Sequence, residues 1–442
     1  MVSNSITRLL IVLGAMLWAL GMVSIFVPTP GLSTALTWCL GIYVFFALPR
    51  TGWHTRILLF VLAIATIALA ARYDRWDAIP LGMAKASIFP AFLATIVLLR
   101  ATADQRPEIS AARRLFAAID SREQSGGIMV GSHLVGAILQ VGVFAILAPI
   151  LGPDATLEER RRVFLMAMRG MAMVPLWSPF VVGMAVATEY LPNVPLWQIM
   201  TLGLSLVVLG MLLSVIAFDR GGGPGAIWRA LKTLSPIVPP VAIAALLVIG
   251  MTTTTSYSTL QSLVIVMPIP CLLAIAFAPG GKIGVALRGT AGGLSRIGSE
   301  ISILTFAMTL GITFQTCLPD LGLLAGLQAL ALSPTAIIFI VIMTMNLFGL
   351  LGVHSIVTGT ILLVLFTGIP TGVADLILLQ ALLVGWGLCT AISVGSLSIA
   401  TGAAMFELAP TNAISLSNIL YIFVASVIFG AILAVLNPFL TG

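Results

Sequence analysis

Long apolar runs, unbroken by charge, follow one another along almost the whole of this chain. A bilayer core takes about 20 apolar residues per helix. Candidate spans fall at 9–28, 32–49, 56–72 and 80–99, after which the chain turns polar until about 125. Two shorter apolar pieces share 126–151, and longer runs follow at 163–190 and 196–218. The second half gives 234–251, 258–278 and 300–317, adjacent pieces at 333–351 and 352–369, then 374–406 and 414–438. The runs are continuous rather than alternating, which points to helices and away from a barrel. The first run follows Arg8 and is too long for a signal peptide, so a true first span is expected.

Charge is scarce: 15 acids and 21 bases in 442 residues cannot coat a water-soluble body of this size. That excludes a soluble enzyme, a nucleic-acid binder and a disordered scaffold. The basic excess reads instead as loop arginine and lysine of a membrane protein. With the N-terminus in the cytoplasm and each pair of short pieces returning to its own side, 18 of the 21 bases fall inside, Arg169 among them. Arg72 and Arg75 fall outside, Lys85 falls within a span, and the C-terminus ends outside. The piece Ile109 to Ile119 is amphipathic and expected along the inner surface. Cys39, Cys271, Cys317 and Cys389 lack metal-ligand spacing and read as small core residues.

Polar landmarks repeat. Gly131-Ser132-His133 is echoed by Gly352-Val353-His354, 221 residues later. Ser178, Glu189 and Pro192 recur as Ser396, Glu407 and Pro410, each 218 residues later. Under the topology above the two copies are inverted, an architecture that alternating-access transporters use. The expected organisation is an extra first span (1–30) and scaffold spans of the first repeat (31–125). A hairpin, broken helix and span follow (126–218), then a cytoplasmic linker (219–232). The second repeat supplies scaffold spans (233–332) and its own hairpin, broken helix and span (333–442). The fold class is thus an all-α polytopic membrane protein of about 11 spans plus two hairpins.

Each proposed hairpin tip reads as helix, a Gly/His/Ser break, then helix. A break frees backbone groups that survive in a membrane only beside a cavity or ligand. The helix that follows points its positive end at the site, which suits an anion. Gly131, Ser132, His133, Gly352, His354, Ser355 and Thr358 are the candidate solute contacts, with Thr360 as a further hydroxyl. The plainer reading is a glycine kink packed on its neighbours, with each histidine a satisfied packing residue. Intramembrane ionisable residues are functional by default, and a histidine suits proton coupling.

A second pair of breaks spans 174–183, with two prolines, and 393–402, with glycines and small hydroxyl residues. Unwound segments free carbonyls for a coupling cation such as Na+. Trp177, Ser178, Pro179, Val394, Gly395, Ser396 and Ser398 are the candidates there, against the plainer reading of kinked helices. Glu189 and Glu407 lie nearer an interface and read as structural or gating residues. Asn346, Gln315 and Gln140 read as packing residues that could also line a cavity. No HExxH, GxSxG or Walker pattern appears, so no enzyme and no cofactor is expected.

The piece from Phe348 to Thr360 resembles the hairpin signature of the ion transporter superfamily, closest to its divalent anion/sodium symporter branch of dicarboxylate and citrate carriers. Gly131-Ser132-His133 sits at the matching first tip, and Ser178-Pro179 and Gly395-Ser396 are similar to the family's sodium-holding loops. Histidine stands near where the family places asparagine, and neither loop keeps its Pro-Pro-Asn ending. The resemblance implies a secondary transporter of a small, anionic organic solute, coupled to Na+ or H+. It implies a homodimer in membrane lipid, with a static scaffold and a mobile elevator domain, in a bacterial inner membrane. The alternative is the membrane subunit of a binding-protein-dependent tripartite carboxylate system.

Overall fold

The computed structural model describes residues 2–106, 124–152, 154–218, 223–277, 283–393 and 395–441. The amphipathic piece around 109–119 and Val394 lie outside them. The described residues are mostly helical, and ten of their helices are long and apolar enough to cross a membrane. This is a polytopic helical membrane protein.

The chain begins with α1 (Val2–Phe26), α2 (Pro30–Ala47), α3 (Trp53–Tyr73), α4 (Ala78–Ala86) and α5 (Phe89–Ala103). Then come α6 (Gln124–Leu139), α7 (Leu157–Ala172), α8 (Val182–Tyr190), α9 (Leu196–Leu213) and α10 (Gly223–Thr233). The second half holds α11 (Val238–Thr254), α12 (Thr259–Val266), α13 (Pro268–Ala276), α14 (Ile283–Leu294), α15 (Gly298–Cys317) and α16 (Leu323–Ala329). It ends with α17 (Pro334–Leu350), α18 (Ser355–Thr367), α19 (Asp375–Cys389), α20 (Leu397–Met405) and α21 (Leu416–Leu436).

Two compact units result. One comprises 1–105, 260–331 and 360–370. Its core is α5, buried from Phe89 to Leu99, together with α15. Gly82 of α4 lets α15 approach so closely that a Cβ there would lie 2.6 Å from Thr309 Cα. Trp18 donates to Thr95 Oγ1 at 3.1 Å, and Tyr43 donates to the Leu294 carbonyl at 3.3 Å. By contrast α2 and α3 expose Trp38, Phe45, Phe60, Ile64 and Ile67, an apolar surface that lipid covers at no cost.

The other unit comprises 106–259, 332–359 and 371–442. Its axis is α19, whose residues from Ile377 to Cys389 are all buried. A helix apolar on every side needs neighbours on every side, and α7, α8, α9, α17 and α21 supply them. At the start of α7, Thr156 and Glu159 form a reciprocal capping box. The Thr156 backbone N–H and hydroxyl hold the Glu159 carboxyl below its usual range.

Two sequence expectations are corrected here. The Gly131-Ser132-His133 break is absent, because α6 runs unbroken through it to Leu139. Small residues serve packing at this level: a Cβ on Gly170 of α7 would strike the Met129 carbonyl and Ser132 Oγ. The interruption falls instead at Gln140, a non-glycine residue at φ +50°, followed by tight turns to Val143. Arg169 is no loop residue. It is 1% exposed inside α7, bonded through Nε to Asn418 Oδ1 at 2.7 Å, with Ser214 Oγ at 3.0 Å and Ser417 Oγ at 2.8 Å.

Candidate functional site

In the second unit α7 stops at Ala172 and α8 starts at Val182. Pro175 and Pro179 forbid a continuous ladder between them, as the sequence predicts. The segment is nevertheless tightly held. Gln380 Nε2 donates to the Leu176 carbonyl at 3.0 Å, and Gln140 Nε2 donates to the Phe180 carbonyl at 2.7 Å. Ser178 Oγ donates to the Ala137 carbonyl at 3.1 Å and accepts from Phe180 N at 3.3 Å. Trp177 Nε1 donates to His133 Nε2 at 2.9 Å. The carbonyls of Trp177, Ser178 and Pro179 accept no hydrogen bond among the described residues. Gln380 Oε1, in a side chain with no exposure, is also without a partner there.

The second interruption lies between Cys389 and Leu397, again as its glycines and serines predict. Ser396 caps α20 by accepting from Ser398 N at 3.2 Å. Gly395 stands against the Gly352 carbonyl, where a Cβ would come within 2.7 Å. Gly352 itself has φ +84° and ends α17, its follower Val353 bonding back to the Phe348 carbonyl at 2.9 Å. The predicted break at 352–354 is therefore present.

His354 then caps α18. Its Nδ1 accepts from Ile356 N at 3.3 Å, and its carbonyl accepts from Val357 N at 3.0 Å. An Nδ1 that accepts must be unprotonated, so in the neutral ring Nε2 carries the hydrogen. That donor has no partner among the described residues, and His354 is a half-buried residue. One turn on, Thr358 is 6% exposed and its hydroxyl has no partner either. Trp386 of α19 lies beside both regions. A Cβ on Gly359 would lie 2.8 Å from its Cζ3, and one on Gly183 2.9 Å from its Cδ2.

The sequence candidates thus divide. Gly352, His354, Ser355, Thr358, Gly395, Ser396 and Ser398 share the region of the α18 start and second interruption. Trp177, Ser178 and Pro179 form the first interruption. Ser132 is fully buried and donates to the Met129 carbonyl at 3.0 Å, and His133 is 3% exposed with both ring nitrogens engaged. His133 therefore presents no free ring nitrogen, and the Ser132 hydroxyl has already spent its donor. Sequence reasoning overlooked Trp386 and Gln380, which lie in an apolar run with no break signal, and read Gln140 as a packing residue that could line a cavity, without a break there, because a glutamine carries no turn signature. The four cysteines are free and buried, as expected of core residues. Glu407, at φ +56° after α20, pairs with Arg160 at 2.7 Å across a largely exposed contact.

No protein-family model matches the chain, and no curated protein matches it by sequence. Among solved structures it is similar to the YdaH transporter of Alcanivorax borkumensis. The match has a TM-score of 0.52 and 13% identity, over 92% of this chain and 99% of that one. Likeness at this identity is one of fold: the chain is a polytopic helical membrane protein with the fold of a solved transporter.

Proposed function

We propose that this protein is a secondary active transporter of a small anionic organic solute, such as a carboxylate, coupled to Na+ or H+. One observation carries the reading. At the start of α18 an unpartnered His354 Nε2–H, the buried unpartnered Thr358 hydroxyl and the helix N-terminus converge on one turn. Donors without acceptors, at a helix's positive end, suit an anion. Ser355 adds a hydroxyl beside them. The free carbonyls of the first interruption and Gln380 Oε1 are acceptors without donors, which suits a coupling cation. Gly395 and Ser396 belong to the corresponding second interruption, and Ser398 to the first turn of α20. Transport by inverted repeats in an elevator motion, in a homodimer of the bacterial inner membrane, follows from the family resemblance. The transporter fold of YdaH supports the same class.

Thermal unfolding of the purified protein against carboxylates, sulfonates and amino acids, with and without Na+, tests this. A ligand at 100 times its Kd stabilises by about 2.7 kcal/mol. The expected result is an anion-dependent rise in Tm that His354→Phe removes. A rise that requires Na+ identifies the coupling ion. No rise with any anion, and no uptake of these anions into proteoliposomes, would sink the proposal.

A further inference from the structure

His133 of α6 is held at both ring nitrogens by protein groups. Its Nδ1 lies 3.1 Å from the Gly170 carbonyl, and its Nε2 lies 2.9 Å from Trp177 Nε1. A carbonyl can only accept and an indole N–H can only donate. Both contacts therefore require the same ring, neutral and protonated on Nδ1. The imidazole is enclosed, 3% exposed, and its plane lies tilted 39° to the Trp177 ring at 5.9 Å between centroids. An added proton on Nε2 would face the indole N–H and break that bond.

Among the described residues packed on α6, no carboxylate stands near the ring to pair with an imidazolium. His133 is the only ionisable side chain of α6. Among the elements packed on α6, the turns 140–143 and 174–176, the short helix Phe144–Leu147, α9 and α11 carry no charge. On α10 stand Arg229 and Lys232. On α7 stand Arg160, Arg161, Arg162 and Arg169, and its carboxylates, Glu158 and Glu159, lie in its first turn, far along the helix from Gly170.

We infer that His133 is a positioning residue: a permanently neutral bridge that ties α7, at Gly170, to Trp177, the residue just after the tight turn 174–176, and so sets where the first interruption lies. It neither carries a proton nor touches solute. The inference stands apart from the transport proposal, since its test reads the protein alone.

The test is NMR of full-length protein in detergent, labelled with 15N in the indole of its tryptophans. The Trp177 resonance is assigned by its loss in Trp177→Phe. The expected signal lies downfield, as an N–H bonded to imidazole does, and stays in place from about pH 5 to pH 8. His133→Gln offers an acceptor near the Nε2 position and should keep the downfield shift. His133→Asn offers only the donor to Gly170 and should lose it. A wild-type signal that titrates in that range would make His133 a proton carrier and overturn the inference. So would a signal indifferent to His133→Asn. Should His133→Asn fail to fold, the wild-type titration decides alone.

Discussion

Two histidines at matching places in the sequence do opposite work, and the difference lies in which nitrogen accepts. His133 spends both nitrogens on protein partners, whereas His354 spends one on its own helix and keeps the other. Arg169 illustrates burial of another kind. Its guanidinium is shared among Asn418, Ser214 and Ser417 and lies over the Tyr421 ring at 5.0 Å and the Phe218 ring at 5.4 Å. Hydrogen bonds to a charged group contribute about 1.5–3 kcal/mol each, and a buried charge that loses one has no water to turn to. Asn418→Leu should therefore lower stability by about that much, read as a fall in Tm in detergent. An unchanged Tm would mean that the serines and rings suffice.

At the scale of elements, helix approach is set by missing side chains. Gly170 faces the backbone of α6 at Met129, so Gly170→Ala must push the two helices apart. Overpacking of this kind costs about 1–3 kcal/mol. Gly250 of α11 has nothing within 4 Å of its would-be Cβ, so Gly250→Ala is the control and should leave Tm level or slightly raised. Equal effects of the two would refute the packing account. The same contact explains what the sequence concealed. A Gly-Ser-His run reads as a break, yet here it makes a smooth helix surface for a close neighbour. The true interruption is at Gln140, which pays for its left-handed backbone with a bond to the Phe180 carbonyl. The proline break at 174–183 and the glycine-serine break at 393–402 were legible because those residues act through their own backbones. Tertiary choices such as Gln140 and Trp386 leave no local trace.

For the whole molecule, the apolar runs gave the class and most helices, since length and composition alone decide what a bilayer accepts. Charge gave an expected orientation, and removing Arg169 from the loops leaves its sense unchanged. That orientation is open to a simple check, because all four native cysteines are buried and will stay silent. Thr441→Cys should react with a membrane-impermeant maleimide added to intact cells. Labelling only after the membrane is opened would reverse the assignment.

The buried arginine also bears on how the protein is made. Asn418, which takes the Nε bond of Arg169, lies 249 residues further along the chain. While the ribosome is still adding those residues, α7 holds a cation that can already meet Ser214 but not yet Ser417, Asn418 or the Tyr421 ring. Full settlement of that charge in α7 therefore waits for α21. Chains that end before α21 would leave that charge without the Asn418 and Ser417 bonds, a ready mark for membrane quality control.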